Sequence, residues 1–227
     1  MRTVRIAATI TVFELVFAFP FALWLAKYAR SPSLQALTLA LLTVPFFLSI
    51  AARTIVWRAV LGIDGPINNA LLWLGVADEP LRWLLFSEFA VHLGLIGPYF
   101  PTMVFPIVLA ITMIDDDLIA ASRDLGAGWG YTLGHVVVPL ALPGIVAGVV
   151  FTFVPMLGED VVPALLGGGH VTLLGNSVHS SLTALNYAVA AALSVLVLGA
   201  MALLIAMFAL VMRRAGGVAG AFEALRQ

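Results

Sequence analysis

Acidic side chains inside or beside apolar stretches are the residues of this chain best suited to do chemistry. Glu14 stands in the middle of an apolar run, and Glu159 and Asp160 follow 23 uncharged residues. A carboxylate in such a setting must find a polar partner, water or a proton, and paired carboxylates attract cations. Glu14 is therefore either a pathway or gate carboxylate or a hydrogen-bonded structural acid. Glu159 and Asp160 either attract a cationic solute or are ordinary acids at the level of the lipid headgroups.

Other residue types exclude several kinds of reactive site. The chain has no cysteine, which excludes disulfides, thiolate metal sites and a cysteine nucleophile. His92, His170 and His179 lack metal-ligand spacing, so we expect no metal site and no other cofactor. A hydrolase using His179 with Ser180 or Ser181 is the least favoured alternative. Sequence neighbours do not face each other well enough for proton transfer, and the G-x-S-x-G pattern is absent.

The composition identifies the solvent of most of this chain as lipid. Of 227 residues, 62% are hydrophobic and 10% are charged, whereas soluble domains carry roughly 25% charged residues. A bilayer permits apolar side chains to face outward, so this composition predicts an integral membrane protein. The net charge is −1, and the scattered cations do not form the basic stripe that nucleic-acid binding needs.

Five apolar segments are long enough to cross a membrane, which takes about 20 residues in a helix. The predicted spans cover about 6–26, 34–58, 89–113, 136–158 and 186–212. The predicted fold is an all-α, polytopic helical bundle with one transmembrane domain over residues 1–227. Prolines inside or at the ends of these spans are expected to disturb the helices, since proline removes a backbone donor. They are Pro45, Pro98, Pro101, Pro106, Pro139, Pro143 and Pro155.

The polar segment 115–135 lies between the third and fourth predicted spans. Asp115 to Asp117 place carboxylates at a predicted helix start, where they suit the free amides and the positive dipole end. Leu118 to Leu125 can continue this helix, and Gly126 with the two glycines that follow should break it. Ala120 and Ala121 offer a small-residue face that another surface could approach. The prediction is a helix, a turn and a second helix outside the membrane.

The same segment resembles the EAA loop of binding-protein-dependent ABC importer permeases. That pattern reads E-A-A, three residues, G, nine residues and I-x-L-P. Its positions are taken here by Ala120, Ala121 and Ser122, then Gly126, then Val136, Val138 and Pro139. The spacing matches, while Ala120 replaces the glutamate and Ser122 the second alanine. The likeness runs over nearly the whole chain and is greatest to permeases of the spermidine/putrescine type.

This resemblance implies the type I ABC importer permease fold, which usually has six transmembrane helices. Aligned by the loop, this chain begins at the second helix. We therefore expect five helices in this chain. The first helix is either lost through a missing or misassigned start, which we favour, or has been dispensed with.

The resemblance also implies that segment 115–135 is a cytoplasmic coupling loop that docks into an ATPase subunit. The residues expected to couple are Ala120, Ala121, Ser122, Arg123, Asp124, Gly126, Ala127, Trp129 and Pro139. The chain has no Walker A pattern, so ATP hydrolysis is expected in a separate subunit and not in this chain.

The resemblance implies that this chain is a multi-pass protein of the bacterial inner (plasma) membrane. Its expected partners are two ATP-binding cassette subunits, a second permease, a periplasmic or extracellular solute-binding protein and the lipid bilayer. The expected function is inward passage of a small solute, for which the resemblance suggests a polyamine or related organic solute. The alternative is a stand-alone channel or secondary transporter, which would need no ATPase and is often built from inverted repeats that this sequence does not display.

Overall fold

The computed structural model of the protein describes residues 2–29 and 31–224, with side chains as far as residue 210. All regular structure in this part of the chain is helical, which confirms the predicted all-α class. The α-helices are α1 (Arg2–Lys27), α2 (Pro32–Thr43), α3 (Ile50–Val60), α4 (Pro66–Trp73), α5 (Glu88–Thr112), α6 (Asp116–Asp124), α7 (Trp129–Thr132), α8 (Val138–Leu157), α9 (Val161–Leu166), α10 (Leu174–Thr183) and α11 (Tyr187–Ala224).

Four helical segments are long and apolar enough to cross a membrane. They are Arg2–Lys27, Glu88–Thr112, Trp129–Leu157 and Tyr187–Leu210. A fifth candidate consists of Pro32–Phe47 together with Ile50–Val60, two pieces bent by 93°. The segments coincide with the five predicted spans to within a few residues at most ends, the main differences being an earlier start at Arg2 and at Trp129.

The second predicted span is divided by a sharp bend. Val44–Phe47 form a turn of 3-10 helix that contains Pro45, and Leu48 is extended with φ −97° and ψ 131°. The Ser49 side chain then accepts a hydrogen bond from the Ala52 amide and caps α3. Proline cannot supply the backbone donor that a continuous helix needs, and serine is a favoured N-cap. The run 34–58 is therefore two helices.

The other prolines of the spans disturb the helices less than predicted. The helices α5 and α8 continue through Pro98, Pro101, Pro106, Pro143 and Pro155. The exception is Pro139, because the turn before it, Leu133–Val137, is π-helical and the Val138 amide donates to the Leu133 carbonyl. A wider turn keeps the proline ring clear of the carbonyl that an α-helix would place against it.

The chain divides into two compact units. The first comprises Met1–Ile10, Leu42–Tyr99 and Val154–Met201, and the second comprises Thr11–Leu41, Phe100–Phe153 and Ala202–Gln227. The single domain predicted over 1–227 includes residues 1, 30 and 225–227, which lie outside the described residues.

In the first unit, α3 packs against α9. A Cβ atom on Gly94 would lie 2.6 Å from a Leu166 methyl, so glycine is needed where α5 meets α9. Asn68 is buried, donates to the Gly62 carbonyl at 3.0 Å and accepts from the Leu81 amide at 2.8 Å. This one side chain therefore ties both ends of the segment between α3 and α5.

In the second unit, small residues allow α5 and α8 to approach closely. A Cβ atom on Gly144 would lie 2.4 Å from the Pro106 carbonyl oxygen. The hydroxyls of Thr102 and Thr152 are 3.1 Å apart and join the same two helices. In lipid the hydrophobic effect does not drive helices together. Close backbone approach and hydrogen bonds between helices stabilise their packing instead.

Candidate functional site

The predicted helix, turn and helix are present and form an elbow, which we define as α6, α7 and the turn between them, residues 116–132. The Asp115 carboxylate caps α6 by accepting from the Asp117 amide at 3.1 Å. The second helix begins at Trp129. Gly130, which was predicted to help break the first helix, instead lies inside α7. Gly126 and Gly128 alone belong to the turn and its cap.

Gly126 ends α6 in the left-handed conformation, with φ +81°. The Gly126 amide donates to the Arg123 carbonyl at 2.8 Å, and the Ala127 amide donates to the Ser122 carbonyl at 3.1 Å. These two bonds make a Schellman motif, which satisfies carbonyls that a helix end leaves free. Glycine adopts this conformation at little cost, which is the local reason for its place in the loop.

A hydrogen bond across the elbow joins its two helices. The Ser122 hydroxyl lies 2.9 Å from the Thr132 hydroxyl, and Thr132 is fully buried. Ser122 occupies a position where the EAA pattern has alanine, so this departure adds a bond that alanine cannot make. Sequence reasoning did not select Thr132, and its ten-residue spacing from Ser122 carries no recognisable signal.

Aromatic contacts hold α7, the second helix of the elbow, in place. The Arg123 guanidinium lies over the Trp129 ring at 5.1 Å, a cation–π distance. Tyr28, just beyond α1, meets Trp129 edge to face, with ring centroids 6.0 Å apart. Trp129 is therefore held from two sides.

Most of the predicted coupling residues are on the surface of this chain. Ser122 and Ala127 are half-buried, and the exposed ones are Ala120, Ala121, Arg123, Asp124, Gly126, Trp129 and Pro139. Leu125, at the tip of the elbow, is 89% exposed. A Cβ atom on Gly126 or Gly128 would meet nothing within 4 Å in the part of the chain that the structure describes, chain neighbours aside. The elbow thus exposes one large apolar side chain, Leu125, next to residues with little or no side chain.

Glu159 is buried and has three hydrogen-bond donors. The Tyr99 hydroxyl donates to Oε2 at 2.9 Å, and the amides of Val161 and Val162 donate to Oε1 at 3.0 and 3.2 Å. Its carboxylate therefore caps α9 and holds α5 beside it. A Cβ atom on Gly175 would lie 2.6 Å from the Glu159 carbonyl oxygen, so α10 also packs closely here.

Asp160 points its carboxylate elsewhere. One carboxylate oxygen lies 3.4 Å from Nδ1 of His179, and the Asp160 side chain is 38% exposed. The Asp160 carbonyl accepts from the Asn176 amide group at 2.6 Å. The two adjacent acids therefore differ, because Glu159 is buried among three donors and Asp160 is partly exposed beside His179.

Glu14 is fully buried in α1, and among the described residues neither of its carboxylate oxygens has a hydrogen-bond partner. In the first unit, Nε and Nη1 of Arg53 are also buried without a partner among the described residues. Arg53 lies within the second predicted span, 34–58, and the sequence analysis assigned it no role. Unpaired ionisable groups inside a membrane protein are costly, and by default they indicate function.

Comparison with known proteins identifies the family. The model of the family described as "Binding-protein-dependent transport system inner membrane component" matches residues 11–216. The spermidine/putrescine transport system permease protein PotB of Salmonella typhimurium (strain SL1344) is 38% identical over 176 residues, which are 78% of this chain and 60% of that protein. This chain thus spans less than two thirds of that relative's length.

Two further relatives are aligned over larger shares of their length. PotB of Haemophilus influenzae is 35% identical over 86% of this chain and 68% of that protein. The inner membrane ABC transporter permease protein YdcU of Escherichia coli is 32% identical over 99% of this chain and 72% of that protein.

Solved structures share the fold at low sequence identity. An inward-facing structure of the MetNI methionine ABC transporter matches with a TM-score of 0.69 and 17% identity, over 94% of this chain and 93% of that chain. A bacterial alginate ABC transporter in complex with its pentasaccharide-bound periplasmic protein matches with a TM-score of 0.74 and 18% identity, over 94% and 78%. These matches confirm the type I importer permease fold. The family match and the PotB relatives confirm the multi-pass inner-membrane location. This chain belongs to the family of inner-membrane permease components of binding-protein-dependent ABC transport systems.

Proposed function

We propose that this protein forms part of the translocation pathway of an ABC importer and is driven by a separate ATPase docked at the elbow. The observation that carries the proposal is Leu125, 89% exposed at the tip of a polar loop that is otherwise braced internally. A large exposed apolar side chain on a rigid polar segment favours a protein partner. Met113, which precedes α6, is also largely exposed, at 80%.

The wider assembly is proposed to contain a second permease, two ATPase subunits and a solute-binding protein. The most apolar window of α11, within Tyr187–Leu210, is only 6% buried by its own chain. Surrounding lipid and the second permease are the proposed cover of this helix. In this arrangement, ATP binding and hydrolysis shift the population between outward-open and inward-open states.

A polyamine is the proposed solute. Two of the relatives above are named as spermidine/putrescine permeases. Of the two acids at the end of α8, Asp160 is the one with an open carboxylate, and it could attract a cationic amine. Glu14 is proposed as a pathway carboxylate, and Glu159 remains a predicted pathway residue whose hydrogen bonds favour a supporting role.

The whole proposal can be tested by reconstitution. The chain would be co-expressed with the ATPase, second permease and binding protein of its own genome, and placed in vesicles with labelled spermidine. We expect uptake that requires ATP and every component. Uptake without the ATPase would support a stand-alone channel or secondary transporter instead. ATP-driven uptake of another solute, with none of spermidine or putrescine, would refute only the solute class.

Replacing Glu14 should separate a pathway role from a structural one. Glu14→Met has a similar shape and removes two oxygens that lack partners, so the free energy of unfolding should be unchanged or rise by about 1 kcal/mol. Uptake by the reconstituted complex should nevertheless fall. Thermal unfolding in detergent and uptake in vesicles measure the two effects, with Glu14→Gln as the polar control. A less stable Glu14→Met protein with normal uptake per folded molecule would indicate a structural acid.

A further inference from the structure

The last residue of α1 joins three helix ends. The Lys27 ammonium donates to the Ile114 carbonyl at 2.5 Å and to the Asp116 carboxylate at 2.6 Å. Ile114 lies just beyond the end of α5, and Asp116 is the first residue of α6. The elbow is therefore tied directly to both α1 and α5 at the point where it begins.

The chemistry of this contact is specific to a lysine at this place. The Lys27 side chain is only 11% exposed, whereas the Asp116 side chain is 81% exposed. An ammonium has three donors and no acceptor, so it can serve a free helix-end carbonyl and a carboxylate together. The charges also suit the dipoles, with a cation at the C-terminus of α1 and an anion at the N-terminus of α6.

The segment beyond Lys27 is braced as well. Tyr28 contacts Trp129 in α7, so Lys27 and the residue that follows it contact both helices of the elbow. The Gln35 amide group donates to the carbonyls of Leu25 and Ala29 at 3.2 and 3.0 Å, which closes the turn between α1 and α2. The end of α1 is consequently held on one side by α2 and on the other by the elbow.

We propose that Lys27 is a positioning residue that makes α1 move with the elbow, so that displacement of the elbow by the ATPase is passed to α1. The inference rests on the proposed docking function and adds the first step of transmission within this chain. A pair with one exposed partner contributes little to stability. Its value lies in fixing two elements to each other, which is what a mechanical connection between them requires.

The test measures whether α1 and the elbow move as one body in the assembled complex. The chain has no cysteine, so spin labels can be placed at Phe17→Cys, on the exposed side of α1, and at Asp117→Cys, in the exposed first turn of α6. The distance between the labels should be the same with and without ATP in the unmodified background. With Lys27→Met, it should change or broaden on ATP binding.

Uptake of labelled spermidine per ATP hydrolysed supplies the second measurement. Lys27→Met and Asp116→Asn should each lower this ratio, by about tenfold for Lys27→Met, while the ATPase still co-purifies. Asp117→Asn is the matched control, because its carboxylate has no hydrogen-bond partner in the described part of the chain and the variant should behave as the unmodified protein.

Two results would overturn the proposal. One is an unchanged label distance and an unchanged ratio of uptake to ATP hydrolysed in both Lys27→Met and Asp116→Asn. Misfolding would not explain a result with Asp116→Asn, because the Asp116 side chain is exposed. The other is loss of ATPase co-purification in both variants, because Lys27 would then support docking itself. Failure of the docking proposal looks different, since the unmodified chain would then not co-purify with the ATPase.

Discussion

Replacing Gly126 with valine should reduce ATP-driven uptake and weaken association with the ATPase subunits. Gly126 has φ +81°, and a side chain in the left-handed region costs about 1–2 kcal/mol, more for a β-branched one. A penalty of that size lowers the population of the present turn roughly 5- to 30-fold relative to competing conformations. Uptake in vesicles and co-purification of the ATPase measure the result.

Two control variants separate the conformation of the turn from the space beside it. Gly126→Asn tolerates the left-handed conformation, and apart from its chain neighbours no described residue lies within 4 Å of its Cβ position. A strong effect of Gly126→Asn would therefore report a partner surface that approaches the glycine closely. Gly130→Ala also meets open space but lies inside α7, so it should have little effect. Normal uptake and ATPase association in Gly126→Val would contradict the docking role.

Replacing Glu159 with alanine should cause the largest loss of stability among single changes in the first unit that we consider. The change removes the acceptor of three hydrogen bonds and leaves the amides of Val161 and Val162 without the carboxylate that caps α9. Loss of a buried acceptor of several bonds costs about 2–4 kcal/mol. Thermal unfolding of the purified protein in detergent measures the effect.

Milder variants show how much of this loss of stability each hydrogen bond to Glu159 accounts for. Tyr99→Phe removes one of the three bonds and should cost about 1 kcal/mol. Glu159→Gln keeps one acceptor oxygen and should fall between the other two variants. If Glu159→Ala unfolded at the same temperature as the unmodified protein while uptake was lost, Glu159 would be a pathway residue and not a structural acid.

Features that are set by residues close together along the chain could be predicted from the sequence alone. Hydropathy located the five apolar segments because length and composition alone decide whether a helix can cross hydrocarbon. The elbow could be predicted because the Asp115 cap and the Gly126 ending act within one or two turns of α6. The spacing of the EAA pattern then identified the family, which the comparison confirmed.

Local reasoning failed where two local preferences compete. Both Pro45 and Pro101 lie in apolar runs, but only the first coincides with a break. At the break, an extended Leu48 and a Ser49 cap offer a stable alternative to helix, and α5 has no such cap at its prolines. The 93° bend in the second span follows from this combination.

Only the tertiary structure decided which partners the polar groups have. The acceptors of Lys27 lie 87 and 89 residues away, and the hydroxyl that binds Glu159 lies 60 residues away. No periodicity or spacing encodes such distances, because they depend on how the helices pack. The sequence therefore determined that this is a membrane permease with a helix–turn–helix elbow between two of its spans. Packing alone determined that Glu159 is satisfied, that Glu14 has no partner in the described residues, and that α1 is tied to the elbow.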